Sequence, residues 1–241
     1  YRTEITDIHS FNAVKVPCSF LISKGQSESE FVSGYDAGRE CGVVTVANHH
    51  VAPGKKLWTW GDSKFGAKWC ANLTDDGSKY VELMTGCYTD NQPDFTWIAP
   101  YETKTFEQYR YPVKNIGETK CADKEMAINL ERVENGAFIG VYSTSERHNC
   151  LVTLKDENGI VFEKNVDVIS PKVTYTETVE CELSGIAELI VTDDEGNTVL
   201  SYKEYVRGNK ECLEPRLPAK RPEEIATVEE LYLNGIHLVQ Y

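Results

Sequence analysis

The chain has 241 residues, of which 38 are acidic and 25 are basic, so its formal net charge is −13. This charge argues against a nucleic-acid partner, because phosphate binding requires a basic surface that releases counterions. Apolar residues make up 41% of the chain, enough for a packed core, but no apolar stretch approaches the roughly 20 residues that cross a bilayer, so we expect a soluble protein without a membrane partner.

Short β-branched and aromatic runs, separated by glycine, asparagine or aspartate, dominate the chain and predict strands. In chain order the runs are CGVVTVAN, KLWTWG, YVELMTG, TKTFEQYRYPV, GAFIGVYST, NCLVTLKDENGIVFEKNVDV and AELIVTDDEGNTVLSYKEYV. Each of the last two contains a hairpin, with turns predicted at 157–159 and 195–197. The sequence therefore predicts a mainly β protein, with a small immunoglobulin-like antiparallel sandwich over residues 118–212.

The last stretch, residues 213–241, no longer shows strand patterns. Pro215, Pro218 and Pro222 predict an extended linker. A helix follows, because Thr227 can cap it with Glu230 at the third position, and apolar residues then recur at helical spacing. We expect this helix to pack its apolar stripe against further helical protein.

Eight cysteines lie at wide intervals, at positions 18, 41, 70, 87, 121, 150, 181 and 212. An even number would permit a disulfide framework. The intervals are too wide for a paired metal-binding motif, and a chain of this length can bury a core without disulfides. We expect free thiols and a cytoplasmic location. With five histidines and no HxH or HExxH spacing, we predict neither a metal site nor a cofactor.

Residues 48–94 concentrate the side chains that suit a sugar-binding cleft. They include two adjacent histidines and three of the four tryptophans. Aromatic faces stack on the apolar side of a pyranose ring, while amides and carboxylates bind its hydroxyl groups. The pattern predicts carbohydrate binding but does not distinguish binding from cleavage.

The candidate catalytic residues each have an alternative structural explanation. His49 and His50 follow a predicted strand, and since adjacent strand residues point to opposite faces, at most one would enter a given cleft. Glu82 lies in a strand on the same face as Met84, so its carboxylate forms an interior ion pair or acts as a general acid. Asp90 belongs to a polar loop that could be an ordinary turn.

The candidate substrate-binding residues are likewise open to a structural explanation. Two tryptophans on one strand face are often core residues, and a carboxylate at a strand start is often a solvated edge residue. The residues are His50, Trp58, Trp60, Tyr88, Asn91, Gln92, Trp97 and Glu102.

Two long runs in this region carry a resemblance to a known family. GYDAGRECGVVTVANHHVAPGKKLWTWG and LTDDGSKYVELMTGCYTDNQPDFTWIAPYETKTFEQYRYPV closely resemble the signature of a bacterial family of unassigned function. Its domain has the galactose-mutarotase-like supersandwich fold and precedes tetratricopeptide repeats. The resemblance covers about residues 9–117, and EELYLNGIHLVQY resembles the lead-in to the repeats.

The resemblance implies that residues 1–117 are the C-terminal portion of a supersandwich and that further strands precede them in the full protein. We then expect exposed sheet edges, which could pair two copies of the chain. Relatives with this fold are sugar epimerases, glycoside hydrolases, lyases or sugar-binding domains. The positions to which the resemblance would assign a site are His49, His50, Glu82, Tyr88, Asp90, Asn91 and Gln92.

These observations lead to two hypotheses. The first is a carbohydrate-active domain, either hydrolase-like or sugar-binding. A hydrolase would pair Glu82 with Asp90 or Glu102, whereas an epimerase would pair Glu82 with a histidine. The second is a non-catalytic scaffold that supports protein interaction through tetratricopeptide repeats.

Overall fold

The computed structural model describes residues 9–22, 28–88, 96, 98–205 and 220–239. Within these residues the chain is mainly β, as the sequence predicts, and every strand pairing is antiparallel. No helix among them is long and apolar enough to span a membrane.

The first half of the chain forms two three-stranded sheets. The outer sheet has the strand order β1-β4-β5, and the inner sheet has the order β2-β3-β6. Their elements are β1 (Cys18–Ile22), β2 (Phe31–Asp36), β3 (Cys41–Val46), β4 (Gly54–Thr59), helix α1 (Lys64–Leu73), β5 (Val81–Gly86) and β6 (Tyr109–Lys114). A short 3-10 helix, Phe11–Ala13, precedes them.

The second half forms two four-stranded sheets. The covered sheet has the order β12-β9-β8-β7, and the distal sheet has the order β11-β10-β13-β14. Their strands are β7 (Cys121–Ala122), β8 (Met126–Val133), β9 (Gly136–Ser143), β10 (Arg147–Asp156), β11 (Gly159–Ile169), β12 (Tyr175–Glu180), β13 (Glu188–Thr192) and β14 (Thr198–Lys203). Ile128 and Ile139 of the covered sheet and Val152 and Leu189 of the distal sheet, all fully buried, share one core. The two sheets therefore form a sandwich.

The covered sheet is buried on both faces. One face builds the sandwich core, and the other packs against the inner sheet, where Val44 and Val113 meet Ala127 and Tyr142. The first five residues of β8 are consequently all buried. This second core joins the two halves of the chain, because its residues come from both.

The inner and outer sheets also face one another. A Cβ atom on Gly34 of β2 would lie 3.0 Å from Leu83 Cδ1 of β5, so the sheets approach closely at this point. Lys55 of β4 and Thr45 of β3 are nearly inaccessible, at 2% and 1% exposure. The space between these two sheets thus includes polar side chains, unlike the two cores described above.

Several local predictions are confirmed. Both hairpins form, with β10 ending at Asp156 and β11 beginning at Gly159, and with Gly196 in the second turn at a φ of +85°. Helix α2 spans Val228–Val239, and its Glu230 backbone N–H donates to Thr227 Oγ1 at 3.2 Å. It follows a short 3-10 helix at Pro222–Glu224, whereas Pro215 and Pro218 lie outside the described residues.

Other elements depart from the sequence prediction. Helix α1 and strands β1, β2, β7, β8 and β12 were not predicted, and the run predicted as a strand at 103–113 forms one only in β6. The seven described cysteines are all free thiols, as expected. The galactose-mutarotase-like fold, the repeats and the domain bounds stay predictions.

Candidate functional site

The outer sheet presents one face to the inner sheet and the other away from it. Leu83 faces inward, as its contact at Gly34 shows. Side chains alternate along a strand, so Glu82 faces outward, together with its cross-strand partner Trp58. The sequence prediction that Glu82 lies opposite Leu83 agrees with this arrangement, and Glu82 is only half-buried there.

Helix α1 lies next to this outward face. The Ser63 side chain caps its first turn by accepting from the Gly66 backbone N–H at 3.2 Å. A Cβ atom on Gly66 would lie 1.8 Å from the Gly61 carbonyl oxygen, so glycine lets the helix approach the end of β4 closely. Phe65 and Trp69, one helical turn apart, then share a side of the helix.

An aromatic cluster forms where α1 meets β4. The rings of Trp60 and Trp69 are stacked, with centroids 4.4 Å apart and planes 6° from parallel. Trp58 meets Trp60 edge-on at 4.6 Å, and Phe65 meets Trp69 edge-on at 6.4 Å. Phe65 and Trp69 are 56% and 37% exposed. The cluster is therefore a surface feature, although tryptophans on a strand are more often core residues.

Polar groups adjoin the aromatic rings. The Tyr80 hydroxyl donates to Glu82 Oε1 at 3.1 Å, and the Tyr80 ring lies 6.5 Å from that of Trp58. The hydrogen bond to Glu82 raises the pKa of Tyr80. The Trp60 Nε1 donor is buried and has no hydrogen-bond partner among the described residues. The site thus combines aromatic faces with an oriented carboxylate.

The histidines occupy a different place. His49 Nδ1 lies 2.6 Å from Glu30 Oε1, and the His49 backbone N–H donates to Glu30 Oε2 at 3.3 Å. The His49 and His50 rings are in contact, with centroids 3.9 Å apart. No contact between described residues joins either histidine to Glu82 or to the tryptophans. The structure therefore does not bring together the predicted acid and base, Glu82 and His49.

The remaining predicted residues lie apart from the aromatic cluster or outside the described residues. Glu102 accepts from the Ala99 backbone N–H at 2.8 Å and pairs with Lys104 at 3.2 Å, which together lower its pKa. The Glu102 carboxylate is thus bound within its own turn. Tyr88 is half-buried, and its hydroxyl has no partner among the described residues. Four predicted site residues lie outside the described residues: Asp90, Asn91, Gln92 and Trp97.

Sequence reasoning missed three members of the cluster: Phe65, Trp69 and Tyr80. A signal for the first two was available, since Ser63 precedes a run whose apolar residues recur at a spacing of four. Chemically, the cluster can stack on a ring and bind hydroxyl groups. No second carboxylate contacts Glu82 within the described part of the chain, and no cluster there has three or more potential metal ligands.

Comparison with known protein families divides the chain in two. Residues 15–115 match the family model described as a domain of unknown function, DUF5107. Residues 121–202 match the model described as the second domain of YphG-like protein. No solved structure matches the chain. Each family match covers less than half of the chain, and together they support the prediction of a family without assigned function.

Proposed function

We propose that the outward face of the outer sheet, with helix α1, binds carbohydrate. The single observation behind this proposal is the partly exposed Trp60–Trp69 stack beside the Glu82 carboxylate. Pyranose rings present C–H groups on one face and hydroxyls at the rim, so they match a surface of aromatic rings edged by hydrogen-bonding groups.

Each polar group of the site has a defined role in this proposal. Glu82 accepts from sugar hydroxyls through oxygen positions that the single bond from Tyr80 leaves open. Trp60 Nε1 is buried and out of reach of a ligand, so Trp60 contributes as the ring on which Trp69 stacks. Trp58 and Trp69 contact the apolar faces of the sugar rings.

The binding test compares oligosaccharides of different composition by calorimetry, using Trp69→Ala and a control. Loss of one stacking ring should weaken binding by about tenfold, corresponding to roughly 1.4 kcal/mol. Tyr101→Ala is the matched control, because Tyr101 is fully exposed and outside the cluster. If Trp69→Ala binds as tightly as the control, the aromatic surface is not the sugar site.

Catalysis by Glu82 is a separate outcome of the same experiment. Incubation with the sugars that bind, followed by measurement of new reducing ends, reports hydrolysis. Reducing ends that disappear in Glu82→Gln, with binding retained, would make Glu82 a catalytic group. Binding without reducing ends would make the surface a recognition site.

Three further proposals concern the fold, the location and the pairing of the protein. We propose that the first half is part of a galactose-mutarotase-like supersandwich and that the protein is cytoplasmic, for which seven free thiols are supporting evidence. We also propose that edge strands pair two copies, since β1 and β5 bound the outer sheet. Sedimentation at rising concentration tests the pairing, and a constant monomer mass would exclude it.

The second candidate function is protein interaction through α2. Val228, Tyr232 and Leu233 of this helix are 78%, 67% and 63% exposed, which favours a partner for the helix. The proposal that tetratricopeptide repeats supply that partner follows from the resemblance of the helix to their lead-in. A longer chain that includes the next residues tests it, because repeats stacked on α2 should protect its amides from hydrogen exchange.

A further inference from the structure

A cleft lies between the two halves of the chain, and none of the residues of the aromatic cluster line it. Its volume is about 770 Å³, and its walls come from the end of β2, the connector 117–120, β8 and β14. Small-molecule sites have volumes of about 300–1,000 Å³ and occur preferentially at domain interfaces. The cleft therefore has the size and position of a ligand site.

The cationic groups of this cleft are already engaged. Arg132 donates from Nε and Nη2 to the two Glu204 oxygens at 2.8 and 2.7 Å, and its remaining bonds go to the carbonyls of Leu183 and Gly185. Lys120 pairs with Glu118 at 3.2 Å. An anionic ligand would have to displace these carboxylates and carbonyls, so the cleft is poorly suited to an anion.

One carboxylate in the cleft has no cationic partner among the described residues. Glu131 Oε1 accepts from Asn129 Nδ2 at 3.0 Å, and that amide, which is fully buried, also donates to the Ile116 carbonyl at 2.8 Å. Gly117 passes directly over it, since a Cβ atom there would lie 2.5 Å from Asn129 Nδ2. Buried structure thus orients Glu131, and no ion pair among the described residues involves its carboxylate.

Aromatic rings form one part of the lining, beside the aliphatic residues Ala37, Leu130 and Ile186. Tyr35 and Tyr202 both line the cleft. Burial raises the pKa of each; the Gly117 backbone opposes the rise at Tyr35, and the charge of Lys120 opposes it at Tyr202. Their rings offer a ligand an aromatic surface, which attracts cations.

We propose that this cleft binds a small organic cation with a methylated ammonium group. Such a group carries a positive charge for Glu131 and has no N–H donors that would need further acceptors. Its methyl groups can contact the tyrosine rings, the arrangement used for quaternary ammonium ligands. The overall charge of −13 also favours the approach of a cation over that of an anion.

The test is a titration of the isotope-labelled chain with choline, followed by amide NMR signals, alongside its neutral isostere 3,3-dimethylbutan-1-ol. We expect choline to shift the signals of Tyr35, Gly117 and Glu131 in a saturable manner. The alcohol has the same shape without the charge and should bind at least about fivefold more weakly.

Glu131→Gln separates charge from structure. Its amide oxygen can still accept from Asn129, so the fold should be retained, whereas choline affinity should fall about three- to tenfold. Glu180→Gln is the matched control, because it removes one exposed carboxylate from β12, outside the cleft. No saturable shift with choline, an equal response to the alcohol, or unchanged affinity in Glu131→Gln would each overturn the proposal.

Discussion

Replacing Lys55 with methionine should stabilise the protein. Lys55 is 2% exposed, and its Nζ atom has no hydrogen-bond partner among the described residues. Burial lowers its pKa, while the charge of Glu30 opposes that effect without forming an ion pair among the described residues. The buried amine therefore loses hydration without a compensating bond.

The expected gain follows from this unpaired group. Leaving a buried polar group unsatisfied costs about 1–3 kcal/mol, and methionine fills nearly the same volume with an unbranched chain. For a chain of this size, a gain of about 2 kcal/mol raises Tm by roughly 4–8 °C. Lys56→Met is the control, since Lys56 is only half-buried and points to the opposite face of β4, and we expect a change within about 0.5 kcal/mol.

The gain should also depend on pH. The folded pKa of Lys55 lies below its unfolded value of about 10.4, so between these two values the unfolded state binds more protons and stability rises with pH. The part of the destabilisation that comes from the charge is fully present below the folded pKa and disappears above the unfolded value. The advantage of Lys55→Met should therefore be greatest near neutral pH and should shrink as the pH approaches about 10.4.

Denaturant unfolding of the wild type, Lys55→Met and Lys56→Met at several pH values between neutral and alkaline tests the reasoning. Destabilisation by Lys55→Met at neutral pH would refute it, because this would mean that attraction to Glu30 outweighs the loss of hydration. A gain that does not vary with pH would show that the amine is not the source of the effect.

Three further predictions rest on local geometry. Gly117→Ala should lower the free energy of unfolding more than Gly77→Ala, by about 1–3 kcal/mol, because both glycines have a φ of +71° but only Gly117 lacks space for a Cβ atom; equal losses in denaturant unfolding would contradict this. Hydrogen bonds from Ser78 lower the pKa of Asp76 to about 2, with help from Arg39, so stability from this carboxylate is present above its unfolded pKa and lost as pH falls through about 2. Ser78→Ala should raise that pKa in a carboxyl NMR titration, and an unchanged value would exclude the serine as the cause. Thr227→Ala should remove the cap of α2 and cost about 1 kcal/mol, whereas Thr227→Ser should not, and similar helicity by circular dichroism in both variants would contradict the cap.

The features predicted correctly are those set by neighbouring residues in the chain. The two hairpins follow from turn residues such as Gly196, and the start of α2 follows from Thr227, whose oxygen caps the helix three residues on. These signals are local, because a turn or a cap is satisfied within a few residues. The position of Glu82 on the face opposite Leu83 likewise follows from strand alternation.

Strand β8 shows why other elements escaped prediction. Its first five residues are all buried, so Ala127 and Asn129, which alternate with the apolar residues as on a half-exposed strand, are enclosed as well. Both faces are buried only because one packs in the sandwich and the other against the inner sheet. Two strands of the inner sheet, β2 and β3, are remote from β8 in sequence.

The sequence by itself determined the β class, the hairpins, the capped helix and a region rich in aromatic and polar side chains. Tertiary structure decided which of those side chains meet. It stacks Trp69 on Trp60 and pairs His49 with Glu30, away from the Glu82 site. It also buries Lys55 between two sheets while Lys56, its neighbour, stays partly exposed. The physical reason is that such contacts depend on the packing of separate sheets, which local residue patterns do not encode.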